Sequence, residues 1–562
     1  MRALPNALAV AAPLLGLAFA CQPAADPHPG SGTGGSGAGG SAQNLAGSVS
    51  LPDGTQATAL LPARIRRLSD AEYQASVSAL LGDSAAVADV SKDFVPDSRQ
   101  SGFTLNEAQR VDPVLAGQLA AAATQLAAEV RKDVAQRAPC DNPATDADKC
   151  ATAFITSFGF QAYRRPLDAD EVTQLMTVFH TALDGGSYDE GIELTARAML
   201  QSAAFLYLTE IGKAPATTVE LTPFEVVSAI SYLIQGRPPS PDLLMQVKDM
   251  NADDARKTIL GTDLFFGTYT RDRVVRIIRE WLGTDQVTDL AKDTTKYADF
   301  EKIKADMAGE TTNFLAELAQ THGSSLRELL AADWTVANGN LANIGYGMPD
   351  VTGDFQHIST PNRLGILNQG AFLSVFAHAQ ETAPVLRGVA LMRRVACVAV
   401  GDPVNLTTAV VPPAPDPSKT TRERFAAHSV GSCAACHDGI DNFGFAFEGF
   451  DAMGKTRTDD NGKPVDTSVT IAGTDFAGSY ADSNALVKAM SVSPQVRECF
   501  ARHMFRALAA SSADAIRPSE DDFVTYWKTT LPQTAGTVDD VGIVDTLKAY
   551  INSPAFIYRR AQ

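Results

Sequence analysis

Along most of the chain, apolar side chains recur every three to four residues, the pattern of helices that bury one face. In RRLSDAEYQASVSALLG, the positions Tyr73, Val77, Leu80 and Leu81 share one stripe, and Ser69 stands where an N-cap is needed. Residues 113–135 keep the period with Ala, Leu and Val. In DADEVTQLMTVFHTAL, Asp168 precedes Glu171 by three residues, the spacing of a capping box. Residues 190–208, 222–235, 270–282 and 306–318 continue the theme, with Gly and Pro punctuating between them. Strand-like alternation is scarce, and VTIAG at 469–473 is its best instance. Residues 363–397 read as two helices broken at Pro384. A stiff proline-rich connector follows at 410–417, then a short helix at 420–427. Amphipathic helices are expected again at 498–510 and 541–550. No internal repeat is visible, and the pattern predicts a mostly α protein.

The first sixty residues follow another pattern. Arg2 supplies a positive n-region, and the apolar run from Leu8 to Phe19 is too short to span a bilayer. Ala18-Phe19-Ala20-Cys21 resembles a bacterial lipobox, with Leu17 one place further from the cysteine than the pattern prefers; ordinary cleavage after Ala20 is the alternative. Residues 1–20 are therefore expected to be a signal peptide and Cys21 the lipidated residue. GSGTGGSGAGGS at 30–41 lies in a stretch poor in bulky apolar residues, so 21–60 would be a flexible tether of ~35 Å. No stretch after residue 20 has the 18 or so apolar residues of a membrane span. The expected location is the cell envelope, facing the periplasm or cell surface, with membrane contact through the lipid alone.

Composition narrows the function. A chain of 562 residues exceeds a single core. A formal charge of −18 argues against charge-driven binding of nucleic acid or anionic lipid; a basic partner would be favoured. No nucleophile elbow, Walker loop, zincin motif or dinucleotide fingerprint occurs in a convincing context, so protein-only catalysis has no candidate. Arg164 and Arg165 before Pro166 read as a helix-junction ion pair, Trp281 and Trp334 as core residues in helical patterns, and His180 and His322 as structural histidines.

One stretch carries chemistry. Cys433, Cys436 and His437 spell C-x-x-C-H, the attachment pattern of c-type haem. Two thiols three positions apart can each add to one porphyrin vinyl group, and the next residue then offers an imidazole to the iron. With 7 Cys and 8 His in the chain, chance supplies this pattern roughly 0.001 times. Competing readings are a thioredoxin-like pair, which lacks a βαβ setting, zinc, which lacks a second ligand pair, and a disulfide between Cys433 and Cys436. Export suits haem, because covalent attachment in bacteria takes place outside the cytoplasm. Cys140 and Cys150 bracket a polar loop and would close it at roughly 2–3 kcal/mol of stabilisation; Cys397 and Cys499 remain as a second pair or as two buried thiols. For the sixth ligand, Met490 and Met453 follow His437 by 53 and 16 residues. Another Met or His is the third choice, although His428, on the same short helix before the motif, is badly placed to reach around the porphyrin edge; an open position is the fourth. Met/His ligation would suit electron transfer, and an open position peroxide or oxygen chemistry.

Ordered segments resemble the planctomycete-type cytochrome-C-like multi-domain family across almost all of residues 62–560. They run RRLSDAEYQASVSALLG with DFVPDSRQSGF, FGFQAYRRPLDADE, SAAFLYLTEIG, LTPFEVVSAISYLI with PDLL, LLAADWTVANGNLA, RLGILNQGAFL with APVLRG, CAACHDGIDNFGFAFEGFDAMGKTR, VRECFARHMF and SPAFIYRR. FRALAAS at 505–511 stands where the family tends to carry Gly-Arg. The resemblance implies an exported, modular helical protein with one C-x-x-C-H module near its C-terminus. Modules are expected at 61–135, 136–213 and 214–355, followed by a small cytochrome-c-like haem module at 356–475 and a C-terminal helical module at 476–562. The expected cofactor is one covalent haem c, held by Cys433, Cys436 and His437. Three functions follow: electron transfer to a redox partner, a peroxidase-like haem oxidoreductase acting on an extracytoplasmic polymer or glycan, or an envelope scaffold with structural haem.

Overall fold

The computed structural model describes residues 49–561 apart from 51–55, 58–59, 106–109, 214–217, 264–266, 322–324, 401–412, 415, 427–433, 511–512 and 536–540. The expected signal peptide, Cys21, most of the tether, His322, His428 and Cys433 lie outside the described residues. The chain is mostly helical, with strands confined to small sheets. No described helix is long and apolar enough to cross a membrane.

Helix starts are written locally. Capping boxes open Asp70–Leu81 (Ser69 with Glu72), Ala169–Leu183 (Asp168 with Glu171), Tyr188–Gln201 (Ser187 with Glu190) and Pro223–Gln235 (Thr222 with Glu225). Each satisfies two orphan N–H groups, and its cap contributes about 1 kcal/mol.

Apolar faces then collect into three clusters. The first, between Leu68 and Tyr232, joins Pro113–Lys132 and Pro143–Tyr163 to Ala169–Leu183 and Tyr188–Gln201. The sequence border at 135/136 therefore falls inside one shared core. The second and largest runs from Leu60 to Tyr558 and unites the middle helices with Ala434–Phe445, Pro494–Ala509 and Ile543–Asn552. It crosses the border at 475/476 as well. Residues Ala46–Gln562 form one compact unit. The third cluster packs Phe300, Ile303, Met307, Leu341 and Met453 under the hairpin Trp334–Ala337 with Gln356–Ser359.

A charged clasp closes the body. Strand Arg64–Arg67 pairs antiparallel with Tyr207–Glu210, while Tyr558–Arg560 lies between Leu61–Pro62 and Thr218–Glu220. Burial in the first of these strands is inverted: Ile65 is 58 % exposed, whereas Arg64, Arg66 and Arg67 are 8 % or less. The arginines are buried because carboxylates meet them. Glu210 takes Arg64 at 3.0 Å and Arg559 at 2.6 Å, and Glu72 takes Arg66 at 2.6 Å.

Several elements depart from the hydrophobic pattern. The expected helix at 190–208 stops at Gln201, resumes as Ala203–Leu206 and turns into strand Tyr207–Glu210. Trp334 is buried as expected but sits on a strand, WTVA, stacked on His357 with centroids 4.9 Å apart. Pro384 does begin a helix, Pro384–Ala390, which loosens into a π-turn over Leu391–Val395.

Candidate cofactor-attachment site

The motif sits on a helix fixed from below. Ala434–Phe445 follows Cys433 directly and buries Ile440, Phe443 and Phe445 in the main core. Helix Pro384–Ala390 crosses it at backbone contact. A Cβ on Gly388 would lie 2.0 Å from the Ile440 carbonyl oxygen, and one on Gly444 would lie 1.9 Å from that of Pro384. Only glycine permits such an approach.

Beneath this crossing Arg387, fully buried, gathers the turn that follows the motif helix. It donates to the carbonyls of Phe447, Phe450 and Asp451 at 2.9, 3.2 and 2.8 Å, and pairs with Glu448 at 3.3 Å. Glu448 also accepts from Thr382 Oγ1 and pairs with Arg457. Burial pushes the Arg387 pKa down, and Glu448 opposes that shift. Nothing in the hydrophobic pattern marks Arg387; its signal is only a charged residue inside the apolar stretch APVLRG.

On the outer side of the helix, Cys436 is exposed with a free thiol. His437 turns Nδ1 to the Asp441 carboxylate at 3.0 Å, one helical turn away. Their side chains are 16 % and 5 % exposed. With Nδ1 so engaged, Nε2 is the nitrogen that would meet an iron. An accessible thiol beside an oriented imidazole makes two of the three donors that covalent haem c requires, the third being Cys433 outside the described residues, so Cys436 and His437 fit the group.

The remaining candidates are dispersed. The Asp451 carboxylate accepts from the amides of Met453 and Lys455 at 2.9 and 2.8 Å, which shapes the turn that plants Met453 in the third cluster. Met490, on Ser483–Ser491, is sealed in the main core. Cys140 is bonded to Cys150 and Cys397 to Cys499, with Cα atoms 5.5 and 5.3 Å apart. Of the described residues, Cys397, Cys499 and His503 bring ligand atoms within 4.8 Å of one another, but sulfurs bonded to each other are not thiolate ligands. His503 is neutral: burial pushes its pKa down to about 3, and Nε2 donates to the Arg393 carbonyl. Arg165 grips Glu171 at 2.7 Å, and Arg164, just past the end of Pro143–Tyr163, donates to the carbonyls of Ala204 and Tyr207 rather than to an acid. A cavity of about 260 Å³ lined by Tyr163, Arg165, Tyr207, Thr209 and Glu225 takes no residue from the motif helix.

Four successive stretches match family models. They are PSD3, protein of unknown function (DUF1587), at 66–132; PSD5, protein of unknown function (DUF1595), at 150–210; PSD4, protein of unknown function (DUF1592), at 221–348; and PSCyt3, protein of unknown function (DUF1588), at 363–460. This set is typical of planctomycete-type cytochrome-c-like multi-domain proteins, and the C-x-x-C-H motif falls inside the last stretch. Nothing among curated proteins or solved structures matches the chain.

Proposed function

We propose that this is an exported c-type cytochrome-like protein that carries one covalent haem and passes single electrons in the cell envelope. The observation that carries this reading is the exposed Cys436 thiol beside His437, whose Nδ1 is engaged by Asp441, within the PSCyt3 stretch. Haem, when bound, supplies a one-electron couple. Cys433 and Cys436 would hold the porphyrin and His437 the iron, while Asp441 orients the ring. Arg387 and the Gly388 and Gly444 contacts keep the motif helix from shifting on the core. An acidic surface favours a basic redox partner at moderate ionic strength. Lipidation at Cys21 would keep the body within tether reach of a membrane.

A second reading, a haem oxidoreductase acting on an extracytoplasmic polymer or glycan, draws support from the packing of Met453 and Met490. Both are buried in hydrophobic clusters, so neither can serve as a sulfur ligand without leaving its core. The test is a pyridine haemochrome assay on protein matured with periplasmic attachment machinery, in the wild type and in C433A/C436A. Covalent porphyrin in the wild type alone is expected, and its absence there ends the proposal. Optical spectra with carbon monoxide and cyanide then separate the readings. A closed low-spin iron resists both ligands, as electron transfer requires, and an open one binds them.

A further inference from the structure

His437 and Asp441 are unlike an ordinary helix-surface pair. They lie one turn apart on Ala434–Phe445, yet Asp441 is nearly sealed and His437 mostly so. A buried carboxylate is costly unless something meets it, and the imidazole Nδ1 at 3.0 Å is one of the groups that does. The geometry is also held from outside the pair. Gly388 and Gly444 set the backbone of the motif helix against Pro384–Ala390, which fixes the rotation of Ala434–Phe445 about its axis. Ile440 and Phe443 then point into the core, and their neighbour Asp441 stays at the buried edge, beneath His437.

A carboxylate on the far nitrogen of a ligating histidine does two things. It fixes which nitrogen carries the proton, and it makes the ring a stronger donor. For a haem, a stronger donor favours the ferric iron. Resting on the haem reading above, we propose that Asp441 is a positioning residue for the haem. It holds the Nδ1 edge of His437, leaves Nε2 as the ligating nitrogen, and poises the iron towards its ferric form. A haem so poised accepts an electron only from a comparably low-potential donor, which narrows the class of redox partner.

The experiment uses the full chain with haem attached, as wild type, D441N and D441E. Haem per chain is counted first, then each protein is titrated against a mediator-coupled reductant that supplies one electron per haem. The urea unfolding midpoint of each protein is recorded beside it. At equal haem content, the ferrous-to-ferric ratio of D441N at a fixed ambient potential should be at least tenfold higher, about 59 mV for one electron. D441E should return the ratio towards wild type. A purely structural carboxylate would shift the unfolding midpoint and leave the ratio within twofold, which overturns the role of Asp441 while the haem reading stands. Wild type without covalent porphyrin overturns both. If D441N loses its haem, nitrogen-15 spectra of labelled histidine in the haem-free chain give the answer. An Nδ1–H tautomer at His437 in wild type that is lost in D441N supports the proposal, and the same tautomer in both overturns it.

Discussion

Glu210 and Glu310 are both shut away from water, and the protein treats the two carboxylates in opposite ways. Glu210 lies in the clasp between Arg64 and Arg559, whose guanidinium groups overcome desolvation and push its pKa well below the ordinary carboxylate range. Glu310 lies beside the third cluster and meets hydroxyls instead. Thr335 Oγ1 donates to it at 2.8 Å, as does the Tyr346 hydroxyl, and its second oxygen has no hydrogen-bond partner among the described residues. Arg363 attracts it too weakly to offset burial, and its pKa rises to about 7. The difference follows from what each glutamate joins. Glu210 ties segments 146 and 349 residues apart in sequence, where full charge makes a strong bidentate link. Glu310 joins a helix to its own neighbouring hairpin, where apolar packing already holds the elements and a protonated carboxyl suffices.

The comparison breaks most visibly at Glu210. E210A leaves two arginines buried without their counter-ion and should cost about 3–5 kcal/mol, read from the urea midpoint. Next come the covalent ties. Removing Cys397–Cys499 as C397A/C499A releases a crosslink spanning 102 residues and should cost about 2–4 kcal/mol; C140A/C150A, spanning 10, should cost about 2–3 kcal/mol in the same non-reducing assay. G388A probes a contact that uses neither charge nor sulfur. Its Cβ would meet the Ile440 carbonyl, a backbone atom that cannot swing aside, so a loss of about 1–3 kcal/mol is expected, together with poorer haem attachment as the motif helix shifts.

How much of this was legible follows the same division between local and distant. Ser69 as an N-cap and Asp168 with Glu171 as a capping box are legible in sequence alone, because each partner lies within three residues. C-x-x-C-H is contiguous, so the haem reading draws on no distant residue. The clasp is not. In RIRR three arginines surround Ile65, and Glu210, the carboxylate that lets Arg64 be buried, stands 146 residues away. Arg387 is hidden for the same reason, because its partners are carbonyls some 60 residues on. Asp441 was within reach: four residues after His437 on one helix is the spacing of a facing pair. Trp334 was assigned to the interior on apolarity alone, and the same apolarity could not distinguish strand from helix in four residues.

Glu310 supplies the smallest effect and the sharpest contrast of sign. In the unfolded chain its pKa is about 4.3. Folding raises it to about 7, so between these values the native state holds a proton that the unfolded state has released. Stability from this group therefore increases as pH falls from 7 towards 4.3, with a slope of at most about 1.4 kcal/mol per pH unit. Glu210 has the reverse linkage. Its contribution is complete above the unfolded pKa and is lost only as pH falls further through its depressed folded value, so it is nearly silent in the same window. E310Q keeps the shape and removes the proton, and should flatten the wild-type slope between pH 7 and 5 while leaving the acid-side loss below pH 4 in place. Unfolding titrations at four or five pH values measure it. An unchanged slope in E310Q would mean that Glu310 is ionised in the folded protein, with Arg363 drawn close enough to act as Arg64 and Arg559 do for Glu210.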